Sequence, residues 1–503
     1  MKNLTKYMLL AAMSLLVACS PKAPVLPTDF DAVAAGPQIY PDYTDVVVPC
    51  NIAPLVFRIA EDGDGFVTRF RYGDKELLVG GCEVAPTVGE WRSLLEGPAG
   101  GSLSVEVYVA RDGKWRKYEP FAVTVSADTI DRYISYRLIP PSYVAYEKLT
   151  ISQRDLTNFD ETVIYSNKLI SSEPDGQCIN CHAYKNYRTD NMQFHVRQYL
   201  GGTVFVHNGE LKKVNLKTDS TMSAGVYPFF NPKYDVVAYS VNNTGQVFHT
   251  KNPNKVEVQD QASDVIIYDP VREVVSHVAN DPDCLEVFPA WSPDGEMLYY
   301  CSAYFPKLEG VPHVENMVRN YRSVKYDILR RPWNPATGEF GAVDTVFAAS
   351  AIGKSATFPR VSPCGRYLLF ALAEYGCFHI WHRDADLYVL DLETGECNPL
   401  VKANSEYPES YHSWSSTGKW ILFASRRDDT NYSRLYIAHM NDDGTSDKAF
   451  LLPQAESEYY DFFDRSYNVP EFMVEPVPYT PHELLEVVKG ESVNVKYSMD
   501  FKW

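Results

Sequence analysis

The sequence predicts an all-β protein in which an N-terminal, immunoglobulin-like β-sandwich precedes a β-propeller of five or six blades. Three observations lead to this fold class. Aromatic residues make up 13% of the 503 residues, with 35 tyrosines, a composition that suits paired β-strands. From about Asp45 apolar and polar residues alternate, which is the period of a strand with one buried face. The second half of the chain repeats one strand–turn–strand frame.

The β-sandwich is predicted over residues 45–127. Phe66–Arg71 and Glu76–Val79 flank a Tyr-Gly-Asp-Lys turn, and residues 103–109 alternate apolar with polar side chains before an Arg-Asp-Gly turn. Residues 19–44, rich in Pro and Ala towards their start, are predicted to be a tether. No constellation of catalytic type occurs in the sandwich, so we expect it to be a spacer or a docking surface.

The propeller is predicted over residues 195–460 from repeated segments. Each segment has a short strand, a turn and an apolar strand, and hairpins between the segments supply further strands. The repeats are Tyr227–Ser240, Phe288–Cys301, Phe358–Phe370 and Tyr411–Ser425. Because such units bury their apolar faces only against neighbours, we expect them to close into a ring, with residues 461–503 closing or capping it.

The frame is most complete at Trp291–Gly295, Trp-Ser-Pro-Asp-Gly. It resembles the TolB-like (WD40-like) propeller repeats of bacterial envelope proteins, of Bacteroidetes type, over about residues 200–455. The resemblance implies the propeller fold, which serves both scaffolds and enzymes. We interpret the carboxylate pairs Asp384/Asp386 and Asp428/Asp429 as turn residues and assign no catalytic residue.

A linker over residues 128–194 is predicted to carry Cys178, Cys181 and His182. Cys-x-x-Cys-His is the spacing at which two thiols attach to one haem and the histidine ligates its iron. We therefore expect one covalent haem c. A structural zinc site lacks a second ligand pair nearby, and a thioredoxin-like redox pair lacks its βαβ context.

A second axial ligand is expected from residues near this motif. His195 and Arg197 lie two apart on a predicted strand and share a face, so His195 could ligate the iron while Arg197 pairs with a haem propionate. A surface-facing pair on an edge strand explains the same pattern. His249 and Met192 are the alternative distal ligands. Ligation by His182 alone would leave an open site for a small ligand or peroxide.

The N-terminus has the pattern of an exported lipoprotein. Lys2 and Lys6 precede the apolar run Met8–Val17, and Cys19 follows in a lipobox-like context. Residues 1–18 resemble a bacterial lipoprotein signal peptide, which implies cleavage and lipid attachment at Cys19. We expect a lipid-anchored protein of the cell envelope, on the periplasmic face of the outer membrane. An ordinary secretory signal with an incidental cysteine is the alternative.

The net charge and the predicted export signal limit the classes of function that we expect. A net charge of −18 argues against nucleic-acid binding. Export agrees with covalent haem, which is attached on that side of the membrane. We expect a monohaem cytochrome that transfers one electron or senses redox state, with the propeller docking a protein redox or envelope partner. Two alternatives stay open: an envelope interaction scaffold with a structural or sensory haem, and a haem enzyme with an open axial site.

Overall fold

The computed structural model describes residues 23–97, 100–141, 148–170 and 176–499. The all-β class and the β-propeller that the sequence predicts are confirmed by the strand order of these residues. Cys19 lies outside the described residues, so its lipidation stays a prediction. Within the described ranges, no helix is both long enough and apolar enough to cross a membrane.

The N-terminal domain contains two sheets and one helix, α1 (Val88–Leu95). Its strands are β1 (Asp31–Val33), β2 (Ile39–Tyr40), β3 (Val47–Pro49), β4 (Phe57–Ile59), β5 (Gly65–Tyr72), β6 (Lys75–Gly80), β7 (Glu83–Val84), β8 (Gly101–Arg111), β9 (Lys114–Tyr118) and β10 (Phe121–Ser126). The larger sheet has the order β1-β9-β8-β10-β3, with β5 paired to β8 and β6, and the smaller one is β2-β4-β7. The α1 residue Trp91 is buried, and its Nε1 donates to the Ile52 carbonyl at 3.2 Å.

The propeller strands follow in chain order. They are β11 (Tyr133–Ile139), β12 (Thr150–Asp155), β13 (Glu161–Ser166), β14 (Gln177–Lys185), β15 (Arg188–Gln198), β16 (Gly202–His207), β17 (Glu210–Asn215), β18 (Val226–Phe230), β19 (Val237–Phe248), β20 (Val256–Asp269), β21 (Val274–Ala279), β22 (Cys284–Trp291), β23 (Met297–Tyr304), β24 (Asp327–Pro332), β25 (Asp344–Phe347), β26 (Ser355–Val361), β27 (Tyr367–Ala373), β28 (Asp386–Asp391), β29 (Cys397–Pro399), β30 (Glu409–Trp414), β31 (Trp420–Ser425), β32 (Arg434–His439), β33 (Phe450–Leu451), β34 (Ser466–Met473), β35 (Val493–Asn494) and β36 (Lys496–Tyr497).

These strands form six blades. From the innermost strand outward, blade 1 is β34-β11-β12-β13, blade 2 is β14 to β17, blade 3 is β18 to β21, blade 4 is β22 to β25, blade 5 is β26 to β29 and blade 6 is β30 to β33. Each innermost strand contacts that of the next blade, and β30 contacts β34, so the ring is closed. The short strands β35 and β36 extend the outer edges of blades 2 and 3.

Blade 1 joins two distant parts of the chain. Its inner strand comes from residues 466–473 and its other strands from residues 133–166. Residues 128–194 are predicted to be a linker, with the propeller beginning at residue 195. In the structure this segment instead supplies most of blade 1 and the inner strand of blade 2. The pairing of β11 with β34 is remote in sequence, so local alternation does not reveal it.

Among the described residues, three further α-helices lie around the propeller: α2 (His313–Asn320), α3 (Tyr459–Phe462) and α4 (Pro481–Lys489). Helix α4 begins with a capping box between Thr480 and Glu483 and buries Leu484, Leu485 and Val488 beside blades 1 and 2. It therefore covers the outer strands β13, β16 and β17 of these two blades.

The sandwich rests on the outer strands of blade 6, where β3 contacts β32. Lys448 donates to Asp42 at 2.7 Å, and the Tyr43 hydroxyl donates to the Leu451 carbonyl at 3.3 Å. Arg58 of the sandwich also pairs with Asp461 of α3.

Candidate functional site

The six innermost strands share one irregularity. Each is bulged against its neighbour, and each has a non-glycine residue with positive φ at the bulge. In blade order these residues are Val469, Cys181, Tyr227, Phe288, Phe358 and Tyr411. Cys181, the second cysteine of the CxxCH motif, is therefore the blade 2 counterpart of an aromatic residue in four other blades.

The residue after each bulge is equivalent as well. His182 occupies the position that is proline in four blades and His412 in blade 6. His412 Nε2 donates to the Phe358 carbonyl of the preceding blade at 2.7 Å, and burial lowers its pKa to about 3. His182 likewise faces the backbone of the preceding blade at Val469, and burial lowers its pKa to about 4. Cys181 and His182 thus form the blade 2 copy of the bulge that repeats in the six inner strands.

The two motif thiols lie near two arginines. The backbone N–H of Tyr227 donates to Cys181 Sγ at 3.3 Å, and Arg137 Nη2 donates to Cys178 Sγ at 3.5 Å. Arg197 lies opposite Cys178 in the β14–β15 register. Burial raises the pKa of the Cys181 thiol, while Arg197 and Arg137 act in the opposite direction. Both cysteines are buried, so the thiols are packed groups.

The structure places the predicted distal ligands in three separate environments. His195 lies opposite Asn180, its Nδ1 is 3.0 Å from Thr203 Oγ1, and burial lowers its pKa to about 3. Met192 is buried in the apolar core shared by blades 1 and 2. His249 follows β19 and stacks on Tyr321 with ring centroids 6.1 Å apart. Of these residues, His195 is the one beside Arg197, whose charge also lowers its pKa.

In this packing Cys181 and His182 do not face a common space. In a c-type site both cysteines and the histidine face one porphyrin. Here Cys181 contacts the blade 3 backbone at Tyr227, whereas His182 faces the blade 1 backbone at Ser135 and Val469. His182 is 2% exposed and neither ring nitrogen makes a hydrogen bond of good geometry within the described residues. The haem therefore stays a prediction of the motif.

Aromatic side chains from the bulges close the middle of the channel. The Phe288 and Phe358 rings stack with centroids 3.9 Å apart, Tyr227 meets Phe288 at 4.8 Å and Tyr411 meets Phe358 at 4.9 Å. Tyr227 also contacts Phe358 across the channel at 5.8 Å. We call these four side chains the plug. Contacts between non-neighbouring blades show that the plug lies on the propeller axis.

A cavity of about 230 Å³ lies beyond the plug, at the end of the channel where the inner strands finish. We call it the central cavity. Aromatic, proline and small residues make up most of its wall. Its lining includes Ala183, Tyr184, Asn186, Tyr187, Pro228, Phe229, Phe230, Pro232, Trp291, Pro293, Arg360, Val361, Pro363, Ser413, Trp414, Glu471 and Phe472.

One cation and one carboxylate lie next to each other on the wall of this cavity. Arg360 of blade 5 and Glu471 of blade 1 each lie two residues after the bulge residue of their strand. Arg360 Nη2 and Glu471 Oε1 are 3.7 Å apart, and Arg360 Cζ lies 4.9 Å from the centroid of the Phe229 ring. Burial raises the pKa of Glu471 to about 7, and burial lowers the pKa of Arg360 although Glu471 opposes this effect.

Arg360 and Glu471 are not among the site residues that the sequence predicts. A signal for them exists in the repeat, because the position two residues after the bulge is Ala183, Phe229, Ala290, Arg360, Ser413 or Glu471 in the six blades. Two charged residues at a position that is otherwise small or apolar mark a site on the inner strands. Their proximity follows only from closure of the ring, which places blades 5 and 1 on either side of blade 6.

A second polar cluster lies at the opposite end, where the inner strands begin. His382 Nε2 and Glu257 Oε2 are 3.4 Å apart, and both residues are almost fully buried. Asp260 accepts hydrogen bonds from the Ser263 hydroxyl at 2.5 Å and from the Tyr326 hydroxyl at 3.1 Å. Nowhere in the described ranges do three or more His, Cys, Asp or Glu side chains group in a way that could hold a metal ion.

Comparisons with known proteins add the following. No family model and no curated protein matches the chain. A prolyl endopeptidase structure shows 12% identity over 64% of this chain and 42% of that chain, with a TM-score of 0.30. Prolyl oligopeptidase B from Galerina marginata shows 8% identity over 64% and 44%, with a TM-score of 0.33. A mitotic checkpoint complex structure shows 13% identity over 83% and 99%, with a TM-score of 0.30.

This chain therefore spans less than half the length of the two peptidase chains. At such low structural similarity none of the three proteins informs the site or the activity. The propeller fold of this chain rests on its own strand order and on the contacts between its inner strands.

Proposed function

We propose that this protein is a ligand-binding β-propeller whose central cavity holds a small molecule. The observation that carries the proposal is Arg360, a cation on the cavity wall whose side chain is only 14% exposed. Its Nε has no hydrogen-bond partner within the described residues, and its contact to Glu471 at 3.7 Å is longer than a hydrogen bond. A charge that is largely removed from water and incompletely paired costs free energy, which a ligand that completes the pairing offsets.

The size and lining of the cavity support a small ligand. A volume of about 230 Å³ equals that of about eight water molecules at roughly 30 Å³ each. The wall is aromatic and apolar with a few convergent polar groups, which is typical of small-molecule sites. The proposal assigns binding and no reaction. The predicted lipoprotein signal supports a location in the cell envelope, where such a protein would report or hold a ligand for a partner.

A fluorescence titration tests this proposal, because Trp291 and Trp414 line the cavity. Benzoate and benzamide serve as probes with the full chain. Ala183→Phe fills the cavity, and Ala35→Phe places the same side chain at an exposed position as a control. We expect at least one probe to bind the wild type and the control with the same Kd, and the cavity-filling variant to bind about tenfold more weakly or worse.

Circular dichroism must show that the Ala183→Phe variant is folded, and Ser413→Leu provides a second way to fill the same cavity. An identical response of the wild type and both filled variants would place the probe elsewhere and overturn the proposal. So would the lack of any saturable response in the wild type.

The CxxCH motif favours a second proposal, one-electron transfer or redox sensing through one covalent haem c at Cys178 and Cys181, with a protein redox partner. Its test is a pyridine haemochrome spectrum of protein matured with c-type haem machinery, beside a Cys178→Ala, Cys181→Ala double variant. Haem that survives acid–acetone extraction only in the wild type would support this proposal. Its absence under proven maturation conditions would remove it and leave the ligand-binding propeller.

A further inference from the structure

The pair that faces the central cavity points to the class of ligand. Arg360 Nη1 donates to the Pro359 carbonyl at a long 3.4 Å, and Nη2 lies 3.7 Å from Glu471. With Nε also unpartnered within the described residues, the guanidinium keeps donors in the fork geometry that binds a carboxylate with two hydrogen bonds.

Resting on the proposed function, we infer that the ligand is a small monocarboxylate with a planar apolar body. Its carboxylate replaces that of Glu471 at Arg360, and Glu471 takes up one proton when the ligand binds.

The walls of the cavity match the apolar body. Phe229 lies under the Arg360 guanidinium, and Trp291 and Trp414 supply flat apolar surfaces on neighbouring blades. The Trp291 Nε1 group is buried and has no hydrogen-bond partner within the described residues, so it offers a further donor. A single cation suits a single negative charge. Inorganic phosphate has more charge and no apolar body, and therefore fits this site less well.

Electrostatic repulsion explains why Glu471 takes up a proton when the ligand binds. Two carboxylates at one guanidinium repel each other, so one of them is protonated when both are present. Glu471 is the one that gains the proton readily, because burial raises its pKa to about 7. Near pH 6 its carboxyl is neutral and leaves Arg360 to the ligand, whereas above about pH 8 its carboxylate competes for Arg360. Ligand binding is therefore expected to weaken as pH rises.

The neighbouring titratable groups do not change charge in this range. Burial raises the pKa of both tyrosines and of the cysteine thiol beside the pair, and it lowers the pKa of the histidine to about 3. All four groups are therefore neutral near pH 7. They are Tyr184, Tyr187, Cys301 and His412.

Isothermal titration calorimetry of the full chain tests the inference, with benzoate, benzamide and inorganic phosphate as probes. Benzoate should bind at least about tenfold more tightly than benzamide near pH 6. Its Kd should rise about tenfold per pH unit above about pH 7. Titrations in two buffers of different ionisation enthalpy should show the uptake of about one proton near pH 8.

Variants separate the roles of the two residues. Glu471→Gln should make benzoate binding independent of pH and remove the proton uptake. Arg360→Gln should abolish the preference for benzoate over benzamide. Arg366→Gln is the matched control, because Arg366 pairs with Asp391 at 2.7 Å and is not among the residues that line the cavity.

The outcomes distinguish this inference from the proposed function. If benzamide binds as tightly as benzoate, and Ala183→Phe abolishes the binding of both, then the cavity binds ligands but the inference that the ligand is a carboxylate is wrong. Preference for phosphate would overturn the class in the same way. Proton uptake that persists in Glu471→Gln would overturn the role of Glu471. If none of the probes binds, both the inference and the proposed function fail.

Discussion

Cys181 and Tyr227 occupy the same position on neighbouring inner strands, and the Tyr227 N–H donates to the Cys181 sulfur at 3.3 Å. Both residues adopt the left-handed conformation, with φ of 56° and 48°. The second cysteine of the CxxCH motif therefore forms part of the contact between blades 2 and 3. This role holds without any cofactor, so chemistry at the motif and stability of the ring can be separated by substitution.

The equivalence of the blades makes a prediction for His182. His182→Pro should leave the fold intact, with a thermal midpoint within about 5 °C of the wild type. The bulge takes residue 182 out of the β14–β15 ladder, and four other blades have proline at this position. Thermal unfolding followed by circular dichroism measures the effect. In haem-matured protein the same variant removes the predicted iron ligand.

Val204→Pro is the control for this prediction. Val204 lies on β16, between β15 and β17, where proline removes a ladder hydrogen bond and should cost about 3 kcal/mol or more. If the two proline variants are equally destabilised, residue 182 is not equivalent to the prolines of the other blades.

The plug should contribute strongly to stability. Phe288 is fully buried and stacks on Phe358 with centroids 3.9 Å apart. Phe288→Ala should therefore lower the free energy of unfolding by about 3 to 5 kcal/mol, since it removes a buried ring and leaves a void. Urea unfolding measures the loss. The control is Phe462→Ala, because Phe462 is 81% exposed and its loss should change stability by less than about 0.5 kcal/mol.

Asp260 should make stability depend on pH. Burial raises its pKa to about 7, above the value of about 3.9 for an unfolded chain. Between about pH 4 and pH 7 the folded state therefore binds more protons at this group than the unfolded state, and its contribution to stability falls as pH rises. Asp260→Asn removes the titration while it keeps an acceptor for Ser263 and Tyr326. The free energy of unfolding of the variant minus that of the wild type should therefore be larger at about pH 8 than at about pH 5, by on the order of 1 to 3 kcal/mol.

Urea unfolding at both pH values gives this difference directly. Asp112→Asn is the control, because the Asp112 side chain is 96% exposed. A stability difference between Asp260→Asn and the wild type that is the same at the two pH values would show that Asp260 does not titrate with a raised pKa.

The repeats of the propeller could be predicted from the sequence because each one is local. A strand, a turn and an apolar strand follow one another within a short segment, as at Phe288–Cys301, so alternation and turn residues indicate them directly. The six-membered ring could not be counted in this way. Its first blade depends on the pairing of Tyr133–Ile139 with Ser466–Met473, which no short segment contains.

The residues of the candidate site also divide into those that local sequence reveals and those that only ring closure brings together. Cys178, Cys181 and His182 stand out in the sequence by their spacing. In the structure, however, Cys181 and His182 occupy the bulge that every inner strand has, and this bulge is defined by position on the strand and not by residue type. Arg360 and Glu471 are marked in the sequence only as charged residues at a repeat position that is small or apolar in the other blades. They approach to 3.7 Å because closure of the ring places blades 5 and 1 on either side of blade 6. Contacts of this kind depend on ring closure and are invisible to motif analysis.

Closure of the ring by β34 makes the last prediction. Tyr467 of β34 is fully buried and packs edge-on against Tyr136 of β11 with centroids 4.8 Å apart. A chain that lacks residues 464–503 loses the inner strand of blade 1 and exposes the neighbouring inner strands of blades 2 and 6. We expect it to lack a cooperative thermal transition. Circular dichroism and limited proteolysis measure the loss.

The matched control is a chain that lacks only residues 491–503. It loses the edge strands β35 and β36 but keeps β34 and α4, so it should retain a cooperative transition at a lower midpoint. The apolar faces of blades 1 and 2 stay covered in this chain, because Leu484 and Val488 of α4 remain in place. A chain ending at residue 463 that unfolds as cooperatively as this control would show that the propeller does not need β34 to close.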